Sequence, residues 1–148
     1  MIEAARRSVA QQSVDAAFVE VLAPDEIEPA LARLAKQGTQ ALLAATSPLL
    51  FTERRTIIKF AMTHRWPMIG WTREWAEDGA LLSYGIDLAA NHRRAAYFVD
   101  RILKGTKPAD LPVEQPTRIE LVVNKKTASM LGLTIPQTVL LQADKVIE

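Results

Sequence analysis

A long two-faced segment, residues 88–104, constrains the fold of this chain more than any other stretch. Its apolar side chains recur at intervals of three and four residues, which is the spacing of one face of an α-helix. Asp87 is a suitable N-cap and Gly105 a suitable stop for that helix. The apolar stripe consists of Leu88, His92, Ala95, Ala96, Val99, Ile102 and Leu103. We expect a helix with such a stripe to pack it against another surface.

The composition limits the class of protein and its partners. At 148 residues, the chain has about the length of one domain and can bury a core. Its net charge of +1 offers no electrostatic footprint for nucleic acid or an anionic membrane, so no nucleic-acid partner is expected. The chain contains no cysteine, which excludes disulfides and cysteine-ligated metal sites.

The amino terminus bears on the location of the protein. Residues 1–18 lack the apolar core of a signal peptide. No later stretch approaches the roughly 18 uninterrupted apolar residues of a membrane span. If the chain is complete as written, the sequence predicts a cytoplasmic protein.

Strand and helix patterns alternate along the chain. Helices are predicted after Pro24 and over 52–63, 72–76, 88–104 and 125–131, and strands over 17–22, 40–45, 67–71, 81–84 and 118–123. Glu20 suggests that the strand at 17–22 lies at a sheet edge, because a carboxylate is costly between two covered faces. The apolar run at 40–45 lacks alternation, which is typical of a strand covered on both faces. The sequence therefore predicts an α/β fold with a mostly parallel sheet flanked by helices.

The motifs of common catalytic sites are absent from the sequence. Ser47 and Ser83 lack the flanking glycines of a nucleophile elbow, and the glycines form no phosphate-binding loop. His64 and His92 are far apart in sequence, and neither has a carboxylate at metal-ligand spacing. We therefore expect no enzymatic activity, no catalytic residue, no metal site and no cofactor.

Polar and aromatic residues follow three of the predicted strands. Ligands of open α/β sheets bind at the carboxyl ends of parallel strands, which meet at one edge. The candidate ligand-binding residues are therefore Thr46, Ser47, Trp71, Tyr84 and Asp87. Two structural alternatives remain open: Trp71 could fill the end of the core together with Trp66 and Trp75, and Asp87 could act only as a helix cap.

Residues 80–148 resemble a known family most closely. The specific pieces are YGID, ILKGTKPADLPVEQPT and ELVVNKKTASMLGLTIP, and the likeness extends back through SPLLFTERRTIIKFA. These segments resemble the C-terminal half of bacterial ABC-transporter substrate-binding proteins, the large family related to tryptophan- and tyrosine-binding lipoproteins.

The resemblance implies a type I periplasmic binding protein fold, in which two α/β lobes joined by three crossovers close on a small ligand. Such proteins deliver the ligand to a membrane permease without chemistry, and they are periplasmic or attached to the cell surface. The resemblance implies that residues 1–84 form an α/β unit similar to the second lobe of this fold. Residues 85–117 are the crossover helix and a proline-rich return segment, and residues 118–148 are the strand and helix that return to the lobe.

The resemblance covers only the second lobe, and the long helix of family members packs on the first. We therefore expect a homodimer, possibly domain-swapped, whose interface consists of Leu88, His92, Ala95, Phe98, Val99, Ile102 and Leu103. The expected function is that of a solute-binding component, or a partial lobe of one, of an ABC-type importer that binds a small organic solute such as an amino acid. The alternative is a truncated lobe outside transport that persists as an oligomeric interaction domain.

Overall fold

Helices and short strands alternate along the chain. The computed structural model describes residues 2–11, 14–116 and 118–148; residues 1, 12, 13 and 117, which fall within the predicted units 1–84 and 85–117, lie outside the described residues. Short 3₁₀ turns occur at Pro24–Glu26 and Pro108–Asp110. The helices and strands are α1 (Ile2–Gln11), α2 (Ile27–Lys36), β1 (Leu42–Leu43), α3 (Pro48–Thr52), α4 (Arg54–Thr63), β2 (Met68–Gly70), α5 (Arg73–Glu77), β3 (Leu82–Ile86), α6 (Leu88–Leu103), β4 (Ile119–Asn124), α7 (Lys125–Leu131), α8 (Gln137–Gln142) and β5 (Lys145–Ile147).

The described strands form one sheet in the order β1-β2-β3-β4-β5. All neighbouring pairs are parallel except β3 and β4, so the prediction of a mostly parallel α/β sheet is confirmed. Helical connections return the chain to the start of β2 and of β3, which is the geometry that parallel strands require. The segment after α6 instead brings the chain back at the other end of the sheet, so β4 runs antiparallel to β3. Strand β5 was not predicted from the sequence.

Strands β3 and β4 extend beyond the end of their neighbour β2. The pairing of β2 with β3 ends at Gly70 and Ser83, whereas the pairing of β3 with β4 continues to Ile86 and Ile119. A two-stranded ribbon therefore projects from the carboxyl edge of β2. This ribbon carries the start of α6.

At two glycines, neighbouring segments pack closer together than any residue with a side chain would allow. Trp75 of α5 and Met68 of β2 are among the largest fully buried side chains. A Cβ atom at Gly70 would overlap the side chain of Trp75, so the absence of a side chain at this position lets α5 lie directly on β2. A Cβ atom at Gly85 would likewise overlap the backbone carbonyl of Trp71. The end of β2 and the ribbon are thus packed backbone to backbone.

Two predictions about the first strands are wrong. Residues 17–22 form no strand of the described sheet. Val19 and Val21 pack against the core as an edge strand would, but the Leu22 amide donates to the Glu26 carboxylate at 2.8 Å instead of to a neighbouring strand. The strand predicted at 40–45 is only Leu42–Leu43, and it is not covered on both faces. Leu43 is 69% exposed, and β1 is an edge strand among the described residues.

Helix α6 has the bounds that its sequence predicts. Asp87 caps it, since its Oδ1 accepts a hydrogen bond of 2.9 Å from the Ala90 amide. None of its residues, all of which the structure describes, is buried. Apart from the half-buried Leu88, the apolar stripe thus remains exposed, and Leu103 is 81% exposed.

Candidate functional site

The loops that follow β1, β2 and β3 lie at the same edge of the sheet, because these three strands are parallel neighbours. Ser47 follows β1 and caps α3, its Oγ accepting from the Leu50 amide at 3.4 Å. Trp71 follows β2 directly, and Asp87 follows β3 directly. We call these loops the carboxyl edge.

Contacts along the carboxyl edge connect the three loops. The rings of Trp71 and Phe51 lie 5.7 Å apart between centroids and are tilted by 49°, which joins α3 to the end of β2. The carbonyl of Trp71 packs on Gly85, which joins the end of β2 to β3. The loop containing Ser47, the Trp71 loop and the start of α6 therefore form one continuous surface.

The structure places the two remaining candidates differently. Thr46 is exposed in the loop beside Ser47. Tyr84 is 61% exposed and lies within β3, where it pairs with Leu121. Because side chains alternate along a strand, Tyr84 faces the opposite side of the sheet from Gly85. Among the described residues, neither the contact between the Phe51 and Trp71 rings nor that between Trp71 and Gly85 connects the Tyr84 side chain to the Trp71 loop.

Trp71 is the aromatic group of the carboxyl edge. Its side chain is half-buried against the core, and its indole Nε1 is inaccessible to solvent, with no hydrogen-bond partner among the described residues. The neighbouring Phe51 ring is covered by Arg54, whose guanidinium carbon lies 4.5 Å from the ring centroid. An apolar or aromatic group could pack against this surface.

A charged cluster lies at the far end of the ribbon, at the base of α6, and it was not predicted. Glu120 of β4 accepts two hydrogen bonds from Arg73, including one from Nε at 3.0 Å. The same guanidinium lies 3.4 Å from Asp87. Arg118 lies 3.9 Å from each carboxylate. We call Arg73, Asp87, Arg118 and Glu120 the base cluster.

The base cluster holds two carboxylates in a buried position. The side chains of Asp87 and Glu120 are 4% and 8% exposed, whereas that of Arg118 is 65% exposed. The Ala90 amide donates to Asp87, and the charges of Arg73, Arg118 and Arg93 act in the same direction, so the pKa of Asp87 lies below its ordinary value. The hydrogen bonds that Arg73 donates to the Glu120 carboxylate raise the pKa of Arg73. Both groups are therefore charged at neutral pH.

The lowered pKa of Asp87 predicts a loss of stability in acid. Between the folded-state pKa and the ordinary value of 3.8, the unfolded chain binds more protons than the folded one. The stabilisation from Asp87 is thus present above about pH 4 and is lost as the pH falls through the folded-state pKa. Urea unfolding as a function of pH should give a weaker acid dependence for Asp87→Asn, which keeps a capping oxygen. An unchanged dependence in that variant would contradict this role of Asp87.

The described residues contain no group of three histidine, cysteine, aspartate or glutamate side chains that could hold a metal ion. The base cluster pairs two arginines with two carboxylates, so its charges neutralise each other. The carboxyl edge places the hydroxyl groups of Thr46 and Ser47 beside the aromatic surface of Trp71 and Phe51.

The comparison with protein families identifies the chain. A model of the family described as ABC transporter substrate binding protein matches residues 2–147. The chain belongs to this family. The resemblance drawn from the YGID segment and the residues after it is thereby confirmed. A comparison with curated proteins finds no match.

Several solved structures share the fold of this chain. A conserved domain protein from Vibrio cholerae O1 biovar eltor has a TM-score of 0.87 and 26% identity over 98% of this chain. The ABC domain from Streptococcus pneumonia in complex with L-Trp has a TM-score of 0.88 and 25% identity over 99% of this chain. A ligand-free, open substrate binding protein with adhesive properties from Clostridium difficile has a TM-score of 0.67 and 19% identity over 99% of this chain, and it supports the fold alone.

The chain spans about half of the length of these structures, covering 49%, 49% and 48% of them. This agrees with the expectation that it corresponds to a partial lobe. Among the described residues, no helix has both the length and the apolar character needed to cross a membrane.

Four residues of this region, Phe51, Arg73, Arg118 and Glu120, were not predicted from the sequence. One signal for Glu120 was present, because a carboxylate inside the apolar strand RIELVV needs a partner if it is buried. Its partner Arg73 lies 47 positions away in sequence, and no local pattern indicates that pairing.

Proposed function

We propose that this chain forms a solute-binding lobe of an ABC-type importer and that its ligand lies at the carboxyl edge. The observation that carries this proposal is the family match over residues 2–147. The proposed contacts are Thr46, Ser47, Trp71, Tyr84 and Asp87. Binding occurs without catalysis, and a membrane permease receives the solute. This role places the protein in the periplasm or at the cell surface.

The chemistry of the carboxyl edge favours an amino acid with an aromatic or apolar side chain as the solute. The hydroxyl of Ser47 accepts from the Leu50 amide, which leaves its own hydrogen available to donate to a ligand carboxylate. The exposed hydroxyl of Thr46 adds a second donor. Trp71 and Phe51 offer an aromatic surface for the ligand side chain. The related Streptococcus domain in complex with L-Trp supports this class of ligand.

A thermal-shift titration with L-tryptophan tests the proposal. A ligand at ten times its dissociation constant stabilises the folded state by about 1.4 kcal/mol. We expect L-tryptophan at millimolar concentration to raise the unfolding midpoint, and we expect Trp71→Ala to abolish the increase. Tyr97→Ala removes an exposed aromatic side chain on α6 and serves as the control. We expect this variant to keep the increase in the unfolding midpoint. An equal response of the Trp71→Ala variant, or no response to aromatic and branched amino acids in the unmodified chain, would reject the site.

The comparisons do not favour the alternative of an interaction domain without a role in transport. The homodimer is a separate prediction about the stripe of α6. Leu88 and Phe98 are half-buried, whereas His92, Ala95, Val99, Ile102 and Leu103 are exposed. Covering a large apolar side chain of this kind contributes roughly 1.5–3 kcal/mol.

Light scattering at micromolar concentration tests the homodimer. We expect a mass of about twice 16.4 kDa for the unmodified chain and a monomer for Val99→Asp combined with Ile102→Asp. Tyr97→Ala again serves as a surface control. A monodisperse monomer for the unmodified chain would show that the stripe does not pair with a second copy.

A further inference from the structure

The base cluster lies where the chain leaves the sheet and where it returns. Asp87 is the N-cap of α6, the outgoing segment, and Glu120 is the second residue of β4, the returning strand. The amide of Asp87 also donates to the carbonyl of Arg118 at 3.3 Å. Arg73 comes from a third segment, the first turn of α5, two residues after Trp71.

One guanidinium connects these three segments. Arg73 binds Glu120 through two nitrogens, a planar geometry that fixes orientation as well as distance, and it lies 3.4 Å from Asp87. Without Arg73, the two buried carboxylates would repel each other, and each would lose its nearest positive charge. Arg118 is a poor substitute, because it is 65% exposed and lies 3.9 Å from both carboxylates.

The orientation of α6 depends on this base. None of the described residues of α6 is buried, so packing against the sheet holds the helix only weakly along its length. A second ion pair, in which Arg94 donates to Glu114 at 2.6 Å, joins α6 to the return segment, which ends at the same base. The attachments at the base therefore decide the angle between α6 and the sheet.

We propose that Arg73 is a positioning residue that couples the Trp71 loop to the outgoing and returning crossover segments and thereby sets the angle of α6. The functional role of this coupling rests on the proposed function, because the Trp71 loop is part of the proposed ligand site. A change in that loop is transmitted to α6 through Arg73. The geometry itself is present without ligand and can be tested without it.

Distance measurements between spin labels on the free chain test this coupling. The chain contains no cysteine, so labels can be attached at Lys59→Cys on α4 and Arg101→Cys on α6, both of which are exposed. Double electron–electron resonance should give one narrow distance distribution. We expect Arg73→Gln to broaden that distribution by about twofold or more, because Arg73 joins the base of α6 to the sheet. If Arg73→Gln does not fold, Arg73→Lys is used instead, with the same expectation, because an ammonium lacks the planar geometry.

A matched control distinguishes positioning from stability. Arg55→Gln removes a surface arginine whose side chain is 78% exposed and whose partner is Asp78, so it should leave the distribution unchanged. A broad distribution in the unmodified chain, or a narrow one in the Arg73 variant with only a lower unfolding midpoint, would overturn the proposal. Because no ligand is present, neither result depends on whether L-tryptophan binds.

Discussion

Gly85→Ala should strongly destabilise this protein, although it adds only one methyl group. The new Cβ atom would overlap the carbonyl oxygen and the carbonyl carbon of Trp71, which are backbone atoms that no rotamer change can move. Either β3 or the end of β2 must shift, although β3 is held by β4 along its whole length. We expect a loss of at least about 3 kcal/mol in the free energy of unfolding, at the upper end of the cost of overpacking. Urea unfolding measures it.

Gly105→Ala is the matched control for Gly85→Ala. Gly105 has a φ of +96°, and no atom lies within 4 Å of the position that an added methyl group would occupy, so alanine there meets backbone strain without a clash. The expected loss is about 1–2 kcal/mol. Equal losses in the two variants would show that the contact between Gly85 and the Trp71 loop is not tight. The Gly85 variant, if folded, should also lose the response to L-tryptophan.

Trp75→Ala should cause the other large loss of stability. Trp75 is fully buried between α5 and the sheet, and it packs directly on Gly70. Truncation removes a large apolar surface and leaves a cavity, which costs about 3–5 kcal/mol for a tryptophan. Because α5 carries Arg73 and follows Trp71, the loss should also disturb the carboxyl edge. Urea unfolding monitored by circular dichroism measures the effect.

Trp75→Phe provides the comparison for this variant. The indole Nε1 of Trp75 has no hydrogen-bond partner among the described residues, so phenylalanine removes a buried donor that contributes no bond. It also keeps most of the apolar contact. We expect a loss smaller than about 2 kcal/mol. A loss as large as that of Trp75→Ala would indicate that the indole nitrogen is hydrogen-bonded in solution.

Local patterns predicted α6 well, because every determinant of that helix lies within it or next to it. The apolar spacing, the Asp87 cap and the Gly105 stop are all read from consecutive residues, and the observed bounds are Leu88–Leu103. The short helix Lys125–Leu131 was predicted for the same reason, since Asn124 caps it by accepting from the Thr127 amide at 2.9 Å. Its C-cap Gly132 has a φ of +73°.

Features that depend on distant partners could not be predicted in this way. The strand expected at 17–22 has the right alternation, but a strand exists only where a neighbour completes its hydrogen bonds. The base cluster is a second case, because it is assembled by Arg73, Asp87 and Glu120 from three separate segments. The set of strand-end residues was predictable only because parallel topology places their loops at one edge, and that topology was inferred from alternation along the chain.

The central claim is that a small solute binds at the carboxyl edge of the sheet. Nuclear magnetic resonance titration of the ¹⁵N-labelled chain with L-tryptophan tests it most directly, since it detects binding at a dissociation constant on the order of 1 mM. We predict saturable shifts of the Trp71 indole resonance and of the Ser47 and Asp87 amides, with little change at the buried Trp66 indole. Shifts confined to α7 and α8, or none at 10 mM (about ten times that constant), would contradict the claim.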